Sequence, residues 1–195
     1  STGATSQTAC LPGTYNPAPA SETSSACLDA DLGYYVSQSG RSSQTPASPG
    51  HYVDSTGATS QTACLPGTYN PASASSDASA CIDADFGYYV ASSGSSSQTP
   101  ASTGHYVDST ASTGQTPCLA GTYNPTTAAT SSAACQTADP GYKAPNSGMG
   151  QQIACSPGTY QPDSGQTACL DAATGHYVGG SGSVSQTPCE AGSST

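Results

Sequence analysis

Tryptophan is absent from this 195-residue chain, and phenylalanine and methionine occur once each, as Phe86 and Met149. Leu, Ile, Val and Phe together number 15, or 8% of the chain. That lies far under the ~20% below which a sequence reads as lacking the material for a packed interior. One large hydrophobic core is therefore excluded, and any order must be local and repeated. Positive charge is also nearly missing: Arg41 and Lys143 stand against 12 acidic residues, for a net charge of −10. No basic patch exists to neutralise phosphates or meet an anionic membrane surface, which argues against nucleic acid as a partner. No apolar run reaches the length of a bilayer span, and neither an initiator Met nor a signal-like apolar segment opens the sequence. The expectation is a processed start or a window of a longer protein, without membrane insertion in this stretch. Helical periodicity is missing as well, and 15 prolines with 22 glycines oppose helix throughout.

What is there is repetition. Residues 1–54 and 55–108 align without a gap and are identical at 44 of 54 positions, and a diverged third copy with terminal units fills 109–195. Within each copy a smaller unit recurs, marked for the most part by Gly-x-Tyr. Its glycines are 13, 33, 50, 67, 87, 104, 121, 141, 158 and 175, with a last mark at 192. The 54-residue period is made of steps of 20, 17 and 17. In "GHYVDSTGATSQTACLP" the unit reads as a short strand at Tyr52–Val53, a turn at Thr56-Gly57 and a second strand from Ser60 to Ala63. Corresponding turns are expected at Gly40, Gly94, Gly148, Gly165 and Gly182, where glycine supplies the positive φ of a tight turn. Asn16-Pro17, Asn70-Pro71, Asn124-Pro125 and Gln161-Pro162 break the chain after the marker. No shift in composition marks a domain boundary, so the whole reads as one continuous array.

Nine cysteines in a Lys-poor, Ser/Thr-rich chain point to disulfides and an oxidising, extracellular compartment. They alternate between an opening position three residues before a marker glycine and a closing position six before it. Pairing opener to closer joins Cys10 to Cys27, Cys64 to Cys81, Cys118 to Cys135 and Cys155 to Cys169, with Cys189 unpaired or paired between chains. The opposite phase joins Cys27 to Cys64, Cys81 to Cys118, Cys135 to Cys155 and Cys169 to Cys189. The first is preferred because it closes equal local loops, each contributing about 3 kcal/mol in the loop-entropy account. Ala47 and Ala101 occupy the opener position in cysteine-free units.

"CLPGTYNPAPASETSSAC" at 10–27 and "CSPGTYQPDSGQTAC" at 155–169 resemble the Cys-x-x-Gly-Thr-Tyr repeats of ephrin-receptor-like and tumour-necrosis-factor-receptor-like cysteine-rich modules. The motif is short and recurs along most of the chain. The resemblance implies an elongated, disulfide-laddered ectodomain stalk without catalysis, and the opener-to-closer pairing is similar to the minimal one-disulfide module of those families. The expected fold is an all-β, disulfide-rich tandem array of short β-hairpin modules, elongated, with a continuous β-solenoid as the alternative.

Residue types associated with chemistry occur, but as parts of the repeat. His51, Asp54 and Ser55 are the members of a hydrolytic triad, yet a triad needs a base, a nucleophile and an oxyanion site converging on a rigid frame. Adjacent Asp54 and Ser55 point to opposite faces if extended, and the third copy at His176 has neither. His51, His105 and His176 all fall in Gly-His-Tyr-Val, tens of residues apart, without the sequence-close ligand pair of a zinc site. Asp29/Asp31 and Asp83/Asp85 form Asp-Ala-Asp pairs that offer calcium two oxygens of the six to eight it needs; turn capping is the simpler role. The recurrent glutamines 7, 44, 61, 98, 115, 152 and 186 are read as a hydrogen-bonding ladder between units. The tyrosine stripe is read as core rather than as a carbohydrate-binding face.

Serine and threonine make up about 30% of the chain. The stretches 18–26, 72–80 and 126–134 resemble O-glycosylated segments. The functional expectation is a structural extracellular protein, a stalk or fibre subunit at the cell surface, associating head to tail. It carries no catalytic residue and no cofactor, with calcium the one candidate ion. The alternative is an adhesin or ligand-binding ectodomain using the exposed loops 18–26 and 72–80.

Overall fold

The computed structural model describes residues 9–18, 26–190 and 192. The described chain is almost entirely turn and strand. Every strand is two residues long, and they form ten separate two-stranded ladders between sequence neighbours. The strands are short because each first strand starts directly after a left-handed glycine and each second strand runs within a few residues into the turn at the next marker glycine, so no ladder can propagate. Hairpin modules are the result, rather than the continuous sheets that a β-solenoid requires.

The chain divides into two compact parts. One comprises the described residues of Ser1–Ala84 together with Val90–Thr99 and Ala111–Thr113. In it Thr14–Tyr15 pairs antiparallel with Leu28–Asp29, Tyr34–Tyr35 with Thr45–Pro46, His51–Tyr52 with Thr62–Ala63, and Thr68–Tyr69 with Ile82–Asp83. The other comprises Asp85–Tyr89, Pro100–Thr110 and the described residues from Gly114 onward. Its hairpins pair His105–Tyr106 with Thr116–Pro117, Thr122–Tyr123 with Gln136–Thr137, and Tyr142–Lys143 with Ile153–Ala154. Thr159–Tyr160 pairs with Leu170–Asp171, and His176–Tyr177 with Thr187–Pro188.

Both parts obtain an interior from two positions per unit. Three residues before the marker lie Cys10, Ala30, Ala47, Cys64 and Ala84 in one part and Ala101, Cys118, Ala138 and Cys155 in the other, all buried. Three residues after it lie Val36, Val53, Asn70 and Val90, then Val107, Asn124, Ala144, Gln161 and Val178, buried likewise. These side chains are small, so hairpins two units apart approach until their backbones touch. A Cβ on Gly50 would lie 2.0 Å from the Gly94 carbonyl oxygen, and one on Gly104 would lie 2.1 Å from that of Gly148. Glycine is required there twice over, by contact and by φ of +84° and +80°.

Backbone hydrogen bonds also join consecutive units and satisfy groups that two-residue strands leave unpaired. Each marker N–H donates to the carbonyl three residues past the next marker, as in Gly33 to Val53 (2.9 Å), Gly50 to Asn70 (2.7 Å) and Gly104 to Asn124 (2.7 Å). The N–H three residues past the marker donates to the residue following the next turn, as in Val36 to Ala58 and Val107 to Ala129, both 2.9 Å. Each turn in its own right donates back to the buried residue of the unit before it, as in Gly57 to Ala30 and Gly148 to Cys118, both 2.8 Å. Four disulfides join Cys10–Cys27, Cys64–Cys81, Cys118–Cys135 and Cys155–Cys169, and Cys189 is free.

Three details depart from the expectations above. The first strand of "GHYVDSTGATSQTACLP" is His51–Tyr52, and Val53 belongs to the interior. The recurrent glutamines bond within their own hairpin, not between units: Gln44 Oε1 accepts from Asp31 N–H, Gln61 from Ser48, Gln115 from Ser102, Gln152 from Asp139 and Gln186 from Ala173, at 2.6–2.7 Å. Gln7 lies outside the described residues. The tyrosines are only half-buried, and Tyr177 is 52% exposed, so Ala, Cys, Val and Asn form the interior instead.

Candidate functional site

The histidines sit on first strands and are half-buried. His51 Nδ1 is 3.2 Å from its own backbone neighbour, the Pro49 carbonyl, and His105 Nδ1 is 3.1 Å from that of Thr103. The outer edges of both rings lie against a turn: Cε1 is 3.1 Å from where a Cβ on Gly94 or Gly148, respectively, would be. The imidazole thus serves as packing for a tight turn. Asp54 and Ser55 are exposed, and neither is hydrogen-bonded to His51 among the described residues, so this structure does not assemble the triad. His176 makes the same local contact, Nδ1 to the Thr174 carbonyl at 3.4 Å.

The Asp-Ala-Asp carboxylates are used locally. Asp31 Oδ2 accepts from Gln44 Nε2 at 2.7 Å, so the pair closes its hairpin through two bonds, and Asp139 with Gln152 does the same. Asp29 lies beside the Gly57 turn, its Oδ1 3.6 Å from the Cβ position there. Among the described residues no group of three or more His, Cys, Asp or Glu side chains converges to hold a metal ion.

Of the cysteines, Cys64, Cys118 and Cys155 are fully buried, while their partners Cys81, Cys135 and Cys169 are half-buried. Cys189 is half-buried in the opener position. Its N–H donates to the Gly175 carbonyl at 2.8 Å, as that of Cys64 does to Gly50. The segments returning to Cys81 and Cys135 end in 3-10 turns at Ala78–Ala80 and Ser132–Ala134. Asp77 caps the first, accepting from Ser79 N–H at 2.7 Å and from the Ser79 hydroxyl. The hydroxyl bond, then the amide bond, hold its carboxyl below the usual aspartate range, against a small opposing effect of burial.

A concave feature missing from the sequence reading recurs beside the disulfides. Tyr106, Thr116, Pro117, Leu119 and Thr122 surround the Cys118–Cys135 bridge in a hollow of about 340 Å³. In the other part Tyr52, Ala63, Leu65, Thr68 and Ala78 surround Cys64–Cys81 in one of about 210 Å³. Apart from Thr116, which has no counterpart in the smaller lining, the two linings are the same positions 54 residues apart. Their rims carry Leu65 and Leu119, which are 72% and 76% exposed. The only sequence signal was the leucine following each opener in Cys-Leu-Pro and Cys-Leu-Ala.

Residues 141–189 match the family model described as tyrosine-protein kinase ephrin type A/B receptor-like. With the four disulfides and the hairpin architecture, this match supports an ephrin-receptor-like cysteine-rich repeat. Repeats of that kind are typically non-catalytic extracellular domains, and the disulfides accord with an extracellular location. No curated protein matches the chain. Among the described residues no helix is long and apolar enough to cross a membrane.

Proposed function

We propose that this chain is a structural extracellular repeat protein, a stalk or filament subunit at the cell surface, which associates head to tail and carries O-linked sugar. One observation carries the reading: in each compact part the same backbone bonds tie each hairpin to the following one, and most marker glycines leave room for the turn of the hairpin two units on. Nearly all the specialised positions of the repeat are spent on that interlock. Such short-range, repeated bonding makes stability roughly a sum over like interfaces, which suits a protein whose product is length. The surface hollow also recurs in both parts instead of singling out one repeat, which favours a uniform structural role over an adhesin with one binding groove. Electron microscopy of the native material tests the reading. Filaments with a regular axial repeat are expected, and monodisperse globular particles at all concentrations would overturn it.

A further inference from the structure

Two recurrent sets of threonines differ in what their hydroxyls do. In Gly-Thr-Tyr, Thr14, Thr68, Thr122 and Thr159 donate Oγ1–H to the carbonyl three residues back, at 2.9, 2.8, 2.7 and 2.7 Å. Thr45, Thr62, Thr99, Thr116 and Thr187, each five residues before a marker glycine in Gln-Thr-Pro or Gln-Thr-Ala, are exposed on the second strands of their hairpins. No hydrogen bond among the described residues uses their hydroxyls. Four of the five precede proline, which holds them extended and presents the side chain outward.

A second observation says what belongs beside those hydroxyls. Thr45, Thr62, Thr116 and Thr187 lie directly across the ladder from Tyr35, Tyr52, Tyr106 and Tyr177, so hydroxyl and ring share a face. At Thr116 that pair opens into the hollow over Cys118–Cys135, and Tyr52 lines its equivalent over Cys64–Cys81. Both hollows expose a leucine, Leu119 or Leu65, that nothing in its own part covers. A half-buried phenol ring, an exposed aliphatic rim and a nearby unused hydroxyl match a pyranose, whose C–H face stacks on aromatic carbon while its hydroxyls remain in water.

We propose that Thr45, Thr62, Thr99, Thr116 and Thr187 are the O-glycosylation acceptors, and that the first sugar on Thr116 and on Thr62 lies in the adjoining hollow against Tyr106 and Tyr52. This rests on the reading of the chain as a glycosylated extracellular repeat. It moves the acceptors from the Ser/Thr-rich loops to the hairpins. A glycosyltransferase supplies the sugar as a nucleotide- or lipid-linked glycosyl phosphate. The threonine Oγ1 attacks the anomeric carbon, the bond from that carbon to the phosphate oxygen breaks with its electron pair leaving on phosphate, and the hydroxyl proton passes to the base of the transferase.

The test is site mapping on the protein isolated from its native source, by electron-transfer fragmentation of proteolytic peptides, beside intact mass before and after chemical deglycosylation. Sugar is expected on Thr45, Thr62, Thr99, Thr116 and Thr187 and absent from Thr14, Thr68, Thr122 and Thr159. Sugar confined to 72–80 and 126–134 would overturn this assignment and leave the broader reading of a glycosylated protein standing. A mass unchanged by deglycosylation would overturn both. For the seat in the hollow, exoglycosidase should release sugar from Thr116 several-fold more slowly in the folded protein than in the isolated peptide. Equal rates would remove it.

Discussion

Replacing Gly104 by alanine separates two reasons for a marker glycine: its backbone conformation and the approach of a neighbouring turn. Gly104 has φ +80°, and a Cβ there would lie 2.1 Å from the Gly148 carbonyl oxygen and 2.4 Å from its carbon. Gly158 has φ +88° with nothing within 4 Å of the same position. Both amides make the same kind of bond, Gly104 to Asn124 at 2.7 Å and Gly158 to Val178 at 2.8 Å. Alanine at either site must adopt the left-handed conformation, at about 1–2 kcal/mol. At 104 the methyl must also push the Gly148 turn back by about 1 Å to reach an ordinary contact distance. That displacement opens the bond from Gly148 to Cys118 (2.8 Å) and strains the one from Asn124 to Met149 (3.0 Å). At about 0.5–1.5 kcal/mol for each bond the extra cost is roughly 1–3 kcal/mol, and the total at Gly104 is ~2–5 kcal/mol.

Repeat arrays open in sections, so native-state amide exchange is the appropriate readout, and one melting temperature would average over unequal segments. In Gly104→Ala the amides of Gly148 and Asn124 should lose at least about tenfold more protection than those of Gly182 and Gln161 lose in Gly158→Ala, tenfold being 1.4 kcal/mol. Matching losses in the two variants would refute the close-approach argument and leave only conformation.

Cys64→Ala with Cys81→Ala removes one disulfide while leaving at 64 the residue that Ala47 and Ala101 place, fully buried, in equivalent positions. The 64–81 hairpin should lose about 3 kcal/mol of local stability in urea-dependent exchange, with the 118–135 hairpin unaffected. Asn124 is buried, its Nδ2 donating to the His105 carbonyl and its Oδ1 accepting from Thr126 N–H, both at 3.0 Å. Asn124→Val fits the position but abandons both of these and the bond from the Thr126 hydroxyl (2.8 Å), for a loss of about 2 kcal/mol in chemical denaturation. Ala111 holds φ +53° at a turn where other units have glycine. Ala111→Gly should slow exchange of its own amide, with a net gain of about 0.5–1 kcal/mol after the entropy of the unfolded chain is counted. The carboxyl of Asp77 is depressed in the folded protein. Its cap therefore stabilises above the usual aspartate range and is lost as pH falls through the depressed value. Acidification should expose the Ala80 and Cys81 amides while sparing Ala134 and Cys135, whose turn begins at Ser131 without a side-chain cap.

How far the sequence reveals this molecule depends on which physical constraint left a residue-level trace. The markers are legible because a backbone held against another backbone excludes every side chain, so glycine recurs at 20, 17 and 17. The second set of turns is only partly legible. The left-handed region is open to glycine at little cost and to other residues at about 1–2 kcal/mol, and Ala74, Ala111 and Ala128 occupy it at φ 53–55°. Nothing in an alanine signals that. Asn70 and Asn124 mislead in a different way. Before proline they read as chain breakers, and they are that, since Oδ1 accepts from the N–H two residues on. They are also the core residues of their units: Nδ2 reaches back to the carbonyl of His51 or His105, replacing with a hydrogen bond the contact that valine makes elsewhere. Glutamine was assigned the right chemistry and the wrong partner, because side-chain reach is the same within a hairpin as between two. The candidate chemistry dissolves for a related reason. His51 and His105 lie where a turn glycine has a flat ring beside it, so their recurrence follows from packing, and recurrence alone cannot distinguish a site from a spacer. The hollow escaped detection because it is made of residues already explained: a structural disulfide, a half-buried tyrosine and a strand threonine. The leucines after Cys10, Cys64 and Cys118, 72–76% exposed in an interior-poor chain, are spent on no packing, and at Cys64 and Cys118 they mark the place where the repeat presents a surface instead of burying one.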